Sequence, residues 1–190
     1  MSAAPMVKIQ EASASEICSR FAMDPAALPL LQTDMTPREL IEELARNKRY
    51  VAGIDFLAHA LPAREAIWWG CLCFQHACGE NMSDPERSAC RAAVQWVLQP
   101  SEENRAAAKA PAEIATPGTP GGALASAANQ TGGNIAPPGA PYMAPAPYAA
   151  AKAVAIAVKL ASTKSDPARI GETQRIFCDL GIGVAEGRYI

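Results

Sequence analysis

Residues 61–79 read Leu61-Pro62-Ala63-Arg64-Glu65-Ala66-Ile67-Trp68-Trp69-Gly70-Cys71-Leu72-Cys73-Phe74-Gln75-His76-Ala77-Cys78-Gly79. Pro62 suits the opening of a helix, where a missing N–H leaves nothing unpaired. Beyond it, Ile67, Trp68, Trp69, Cys71, Leu72, Phe74 and Cys78 occupy almost every direction around the axis. A helix that is apolar all round is surrounded by other helices. Successive residues on a helix are rotated by about 100°, so Trp68 and Trp69 cannot point the same way. One belongs to the core, and the other lies against a proline-rich segment or reaches a partner. The stretch predicts a central helix and, with it, an all-α domain.

Outward from this helix, the chain repeats one start signal, a capping residue followed by proline. Thr36-Pro37-Arg38-Glu39 is the clearest case: Thr36 caps, Pro37 opens the turn and Glu39 reaches back to complete a capping box. Ser83-Asp84-Pro85, Thr119-Pro120 and Asp166-Pro167 repeat the pattern, and Ser101-Glu102-Glu103 starts a helix without the proline. These signals place helices near 13–22, 37–47, 49–60, 63–78, 85–98, 102–113, 120–131, 147–164 and 167–180. Several carry an apolar stripe at helical spacing, such as Leu40, Ile41 and Leu44, or Ile170, Ile176, Phe177 and Leu180. Pro111 is expected to end or kink its helix, and Gly181 to stop the last one. No run alternates as a strand does, although residues 6–9 and 183–190 could pair as a minor ribbon. The expectation is one domain over residues 1–190, a bundle of about eight or nine helices with an N-terminal arm at 1–12.

From Ile114 to Ala151 there is no charged side chain. Within that span, residues 132–147 are rich in proline and glycine, yet Ile135, Tyr142 and Met143 interrupt them and Tyr148 follows. A flexible linker carries more polar groups and fewer apolar ones. Prolines pre-set φ, which lowers the entropy cost of ordering a long loop. The segment therefore reads as an extended strap on the helical body, or as a surface for a partner.

With 190 residues, 49% of them hydrophobic, the chain can bury one sizeable core. Its net charge of −2 offers no basic stripe for phosphates, so nucleic acid is not an expected partner. No signal-like segment opens the chain. The most apolar helix candidate, Ala149–Ala161, contains Lys152 and Lys159 and is too short for a bilayer. The expectation is a cytoplasmic protein that does not enter a membrane, its six cysteines reduced and mostly buried as small hydrophobes.

Several residue groups invite a chemical reading. Cys71-x-Cys73-x-x-His76-x-Cys78 has the residue types of a zinc site. On one unbroken helix, however, Cys71 and Cys78 share a face that Cys73 and His76 do not, so four ligands cannot converge. A cysteine nucleophile needs a histidine base, and His59 and His76 lie on helices without a neighbouring motif; His59 near a helix end suits the dipole when protonated. Gly121-Gly122 and Gly132-Gly133 lack the strand and lysine context of a phosphate loop and read as turns or helix boundaries. No catalytic residue, metal or cofactor is expected. For protein contact, the candidates are Tyr142, Met143 and Tyr148, because aromatics and methionine are enriched at interface centres. Glu42 and Glu43 form a possible acidic patch for a basic partner, though a solvated helix face explains them too.

A set of phrases carries a resemblance. They are Arg64-Glu65-Ala66-Ile67-Trp68-Trp69-Gly70-Cys71-Leu72-Cys73, Ala93-x-x-Trp96-Val97, Pro100-Ser101-Glu102-Glu103-Asn104-Arg105, Pro117-Gly118-Thr119-Pro120, Ala136-Pro137-Pro138, Asp166-Pro167-Ala168, Phe177-x-x-Leu180-Gly181 and Val184-Ala185-Glu186-Gly187. In this order, over about residues 37 to 187, the chain resembles an uncharacterised bacterial family of helical proteins. That family is encoded beside type VI secretion genes, near spike-tip proteins and their toxic effectors. The resemblance implies a protein that binds a secreted effector. It would act as an immunity protein that blocks a toxin, with the mild acidity favouring a basic nuclease as that toxin, or as an adaptor-chaperone that loads it. It carries over no catalytic residues. A cysteine-dependent enzyme is the alternative from another class.

Overall fold

The computed structural model describes residues 4–137 and 139–189. Among them it contains ten α-helices, or nine when a pair interrupted at Ala108 is counted once, and no strand. Helix α1 is Ala14–Cys18, α2 Pro37–Arg46, α3 Tyr50–Ala60, α4 Ala63–Cys78 and α5 Asp84–Leu98. Then follow α6 Glu102–Ala107, α7 Lys109–Ala115, α8 Pro120–Asn129, α9 Ala149–Ser162 and α10 Ile170–Ala185, with short 3-10 turns at Leu28–Leu30 and Pro167–Arg169. The all-α expectation holds. Met1 to Ala3 of the expected N-terminal arm, Pro138 of the proline-rich segment and Ile190 lie outside the described residues.

Local chemistry explains most boundaries. Thr36 accepts from the Glu39 N–H at 3.3 Å, and the Glu39 carboxylate accepts from the Thr36 N–H at 2.8 Å, closing the capping box of α2. That bonding holds the Glu39 carboxyl below its ordinary range. Thr119 caps α8 through the Gly122 N–H, and Ser101 caps α6 through the Asn104 N–H. Proline lacks an N–H and its ring crowds the carbonyl four residues back. With Pro111 in place, the helix breaks at Ala108 and resumes as α7, as expected.

Four expectations need correction. The first helix is only Ala14–Cys18, and residues 19–22 form the turn that follows it rather than its last turn. The Asp166-Pro167 signal opens a 3-10 turn, not an α-helix. Gly181 does not stop the last helix, which continues to Ala185. A methyl group at Gly181 would sit 2.8 Å from Leu57 Cδ1 and 3.0 Å from the Trp69 ring. Glycine is there so that α10 can press onto α3 and α4, a packing demand that imitates a stop signal in the sequence. The expected ribbon reduces to one backbone bond, from Lys8 N–H to the Ala185 carbonyl, and residues 183–185 are helical.

Helix α4 lies centrally, against α5, α8, α9 and α10. Trp69 is fully buried, and its indole N–H donates to the Phe177 carbonyl at 2.8 Å. Trp68 is half-buried and its indole N–H donates to the Tyr189 carbonyl at 3.0 Å, so the C-terminal tail meets it. Helices α8 and α9 pack most extensively, through small side chains such as Ala123, Ala127, Ala155 and Ala157. All ten helices meet one shared apolar core or border it. No helix among the described residues is long and apolar enough to cross a membrane.

Candidate functional site

The site grows from the connection between α8 and α9. Arg105 is buried on α6, where its guanidinium bonds to both oxygens of Glu102, at 2.7 and 2.6 Å. It also donates to the Asn129 carbonyl at 2.6 Å and the Asn134 carbonyl at 3.5 Å. The Asn134 side-chain oxygen accepts from the N–H groups of Ala136 and Met143, while the Ile135 N–H donates to the Met143 carbonyl at 2.9 Å. Lys109 reaches the Ala136 carbonyl at 3.4 Å. These bonds leave the apolar side chains pointing outward: Tyr142 is 70% exposed, Met143 54% and Tyr148 48%.

Tyr148 differs from the other two in its backbone. It stands at the N-cap of α9 with φ 57° and ψ 19°, the left-handed region, where a bulky side chain is strained. Its ring lies over the Arg20 guanidinium, 5.5 Å from the ring centre, and 6.3 Å from the His59 ring. His59 in turn stacks on Phe21 with ring centres 4.6 Å apart. The sequence expectation that His59 serves the helix dipole is corrected here: the ring is only 4% exposed and sits between two aromatic rings. Its Nδ1 lies 2.8 Å from the Asp55 carbonyl. A carbonyl only accepts, so the proton is assigned to Nδ1 and Nε2 carries a lone pair. That Nε2 is buried with no hydrogen-bond partner. Burial lowers the His59 pKa below its ordinary value, more than the Asp55 carbonyl and carboxylate raise it.

His59 lines a cavity of about 630 Å³ with Arg20, Phe21, Asp55, Lys152 and Lys159 among its walls. Lys159 pairs with Asp55 at 2.7 Å. Arg20 pairs with Glu11 and donates to the His59 carbonyl at 2.9 Å, so its guanidinium is held in place. Lys152 has no ion pair among the described residues. Lys152 and Ile156, the latter 47% exposed, also border a second depression of about 260 Å³ lined by Pro117, Ala146 and Ala149. The outer face of α9 is thus a ridge between a cationic hollow and an apolar one. Such a face suits binding a chain that carries both an acidic and an apolar group.

The other candidates lie elsewhere. Glu42 pairs with Arg38 at 3.3 Å and Glu43 with Arg46 at 2.5 Å, each within α2. No hydrogen bond or ion pair joins Glu42 or Glu43 to residues 131–148 among the described residues. The thiols of Cys71 on α4 and Cys90 on α5 influence each other: Cys71 pulls the Cys90 thiol down, and Cys90, with burial, pushes Cys71 up. Burial pushes Cys178 up to about 12 and Cys18 to about 11, and it raises Cys73 as well. No cysteine hydrogen-bonds a histidine among the described residues, and no three potential metal ligands cluster there. His76 is exposed and edge-on to Phe177 at 6.1 Å. Sequence reasoning named Tyr148 but missed Arg20 and Lys152, and it gave His59 another role. The available signal was Phe21 and His59, an aromatic and an imidazole on segments otherwise explained by helix patterning.

No curated protein and no solved structure matches the chain. One family model does, over residues 40–185, from the last turns of α2 to the end of α10. It therefore spans the walls of the cationic hollow on α3 and α9 and those of the apolar one on α8 and α9, while Arg20 and Phe21 precede it. The chain belongs to DUF6931, a family of unknown function.

Proposed function

We propose that this protein is a non-catalytic binding partner of a type VI secretion effector, acting as an immunity protein that occludes a toxin in the cytoplasm. The observation that carries the reading is the exposure of Tyr142, Met143 and Tyr148 on a charge-free segment tied to α6 and α7 by Arg105 and Lys109. Exposed aromatic and methionine side chains on a hydrogen-bonded backbone lose little entropy on contact, which favours recognition. An interface of ordinary size would bury about 1,200–2,000 Å² in total, centred on this segment and the α9 ridge. The secretion context rests on the family resemblance described from the sequence. The cationic hollow beside Tyr148 suits an effector with acidic groups better than a basic nuclease.

The test is co-expression of the effector encoded beside this gene, with and without this protein. Rescued growth at unchanged toxin abundance supports immunity. Toxin that disappears in its absence supports the adaptor-chaperone role instead. Failure of the purified pair to associate, or full association of a Tyr142→Ala, Met143→Ala double variant, rejects the surface named here.

A further inference from the structure

We propose that the hollow lined by Arg20, His59, Lys152 and Lys159, beside Tyr148, receives a carboxylate side chain of the bound effector. This deepens the binding reading above and rests on it. The charges decide the ligand. Arg20, Lys152 and Lys159 contribute three cations, and Glu11 and Asp55 two carboxylates, which leaves one positive charge, located on Lys152. One added carboxylate neutralises it, whereas an amine or guanidinium would meet three cations. Arg20 is already positioned by Glu11 and the His59 carbonyl, so little ordering is needed.

His59 supplies the second, independent observation. Nδ1 is turned back to the Asp55 carbonyl, so Nε2 is the distal edge of a ring that lines the hollow, and it has no partner. A buried, unpaired acceptor is costly. A carboxylate cannot donate to a lone pair, so it satisfies Nε2 only when the imidazole takes up one proton from solvent. The Nε2–H, closed off from solvent in this structure, then donates to the carboxylate once a side-chain shift opens it to the hollow, while Lys152 Nζ donates to the other oxygen. The groups facing His59 are Asp55 on its own helix, Arg20 on the turn after α1, Lys152 on α9 and Tyr148 at the N-cap of α9. Burial, Lys152 and Arg20 all favour the neutral imidazole, with burial the largest effect. Binding of the carboxylate offsets the positive charge that Lys152 and Arg20 place beside the ring and links affinity to proton uptake. Tyr148, strained in the left-handed region and 48% exposed, stands beside this ring, where the incoming chain would touch it.

The experiment uses the full chain labelled with nitrogen-15. It is titrated with N-acetyl-glutamate methylamide and with the glutamine counterpart, at about pH 6 and about pH 8. The glutamate compound is expected to shift the amide signals of Arg20, His59 and Lys152, to bind better at the lower pH, and to raise the His59 titration midpoint. The glutamine compound is expected to do none of these. In parallel, Lys152→Gln should weaken capture of the effector about tenfold, and Lys152→Arg should restore most of it. Equal shifts with both compounds, affinity independent of pH, or full capture by Lys152→Gln overturns the proposal. Capture that survives Lys152→Gln but fails in the Tyr142→Ala, Met143→Ala double variant overturns it while leaving the binding reading intact. No capture by the unaltered protein removes both.

Discussion

Replacing Gly122 by alanine tests how the bundle holds α9, the helix that carries the candidate site. Gly121 and Gly122 form the first turn of α8, directly after Pro120. A methyl group on Gly122 would lie 1.9 Å from the Thr116 carbonyl oxygen and 2.6 Å from its carbon. A methyl group on Gly121 would lie 2.5 Å from the Glu86 carbonyl oxygen and 2.9 Å from the Glu86 Cα. Carbon and carbonyl oxygen settle at about 3.3 Å, so each methyl is well inside contact distance. The obstacles are backbone atoms, which cannot rotate away as a side chain can. Thr116 is fixed by its own bonds: its N–H donates to the Glu113 carbonyl, and its carbonyl accepts from the Thr119 N–H at 3.1 Å.

Overpacking costs about 1–3 kcal/mol, and a backbone clash belongs at the upper end. Alanine returns at most about 1 kcal/mol through helix propensity. The net loss is about 2 kcal/mol, or about 4–8 °C in melting temperature for a domain of this length. Gly132→Ala is the control, since nothing lies within 4 Å of its added methyl, and it should stay within about 0.5 kcal/mol of the parent. Urea unfolding followed by tryptophan fluorescence and circular dichroism measures both. A Gly122→Ala protein that unfolds at the parent's midpoint would refute the reasoning, because the turn at Thr116 would then be free to move.

Three further outcomes are expected. Since burial lowers the His59 pKa below its ordinary 6.5, the unfolded chain binds the proton first as pH falls; the His59 contribution is constant above about pH 7 and declines below 6.5, and urea midpoints of His59→Gln should lack that decline if His59 causes it. With burial raising Cys73, and Cys178 to about 12, both should resist a thiol reagent at neutral pH until the chain unfolds, and immediate labelling of either would contradict the packing. Tyr148→Gly relieves about 1–2 kcal/mol of left-handed strain and loses about 0.5–1 kcal/mol of Arg20 contact; its melting temperature should therefore stay near the parent's while effector capture falls, and a large loss of stability would show the ring to be structural.

The parts legible in the sequence are those where a boundary depends on neighbouring residues. The capping box at Thr36 and Glu39, the Thr119 cap and the break before Pro111 each follow from a few adjacent side chains. Gly181 was not legible, because its role depends on Leu57 and Trp69, which reach it only after three helices assemble. The same holds for Trp68, whose partner is the Tyr189 carbonyl at the far end of the chain. Of the candidate site, the exposed Tyr142, Met143 and Tyr148 could be named from their odd company of prolines. The hollow beside Tyr148 could not. Arg20, His59 and Lys152 come from three separate segments, and each looks like an ordinary helix or turn residue in its own.

Three departures from local rules meet on one face, and that coincidence is itself an argument. A tyrosine holds a backbone conformation that glycine or asparagine adopts more cheaply. A buried imidazole keeps one nitrogen unpaired although Lys152 and Arg20 lie nearby, because both are donors already oriented elsewhere or left towards solvent. A lysine at the same hollow carries a charge that no described carboxylate answers. Packing alone would remove each of these with a single substitution: glycine for Tyr148, leucine for His59, glutamate for Lys152. Proteins depart from local consistency chiefly where function requires it. Independent structural accidents would be scattered over ten helices, whereas these are joined by direct contacts through Arg20, Tyr148 and His59. A single occupant that brings a carboxylate to Lys152 and an apolar surface to Tyr148 answers all three at once.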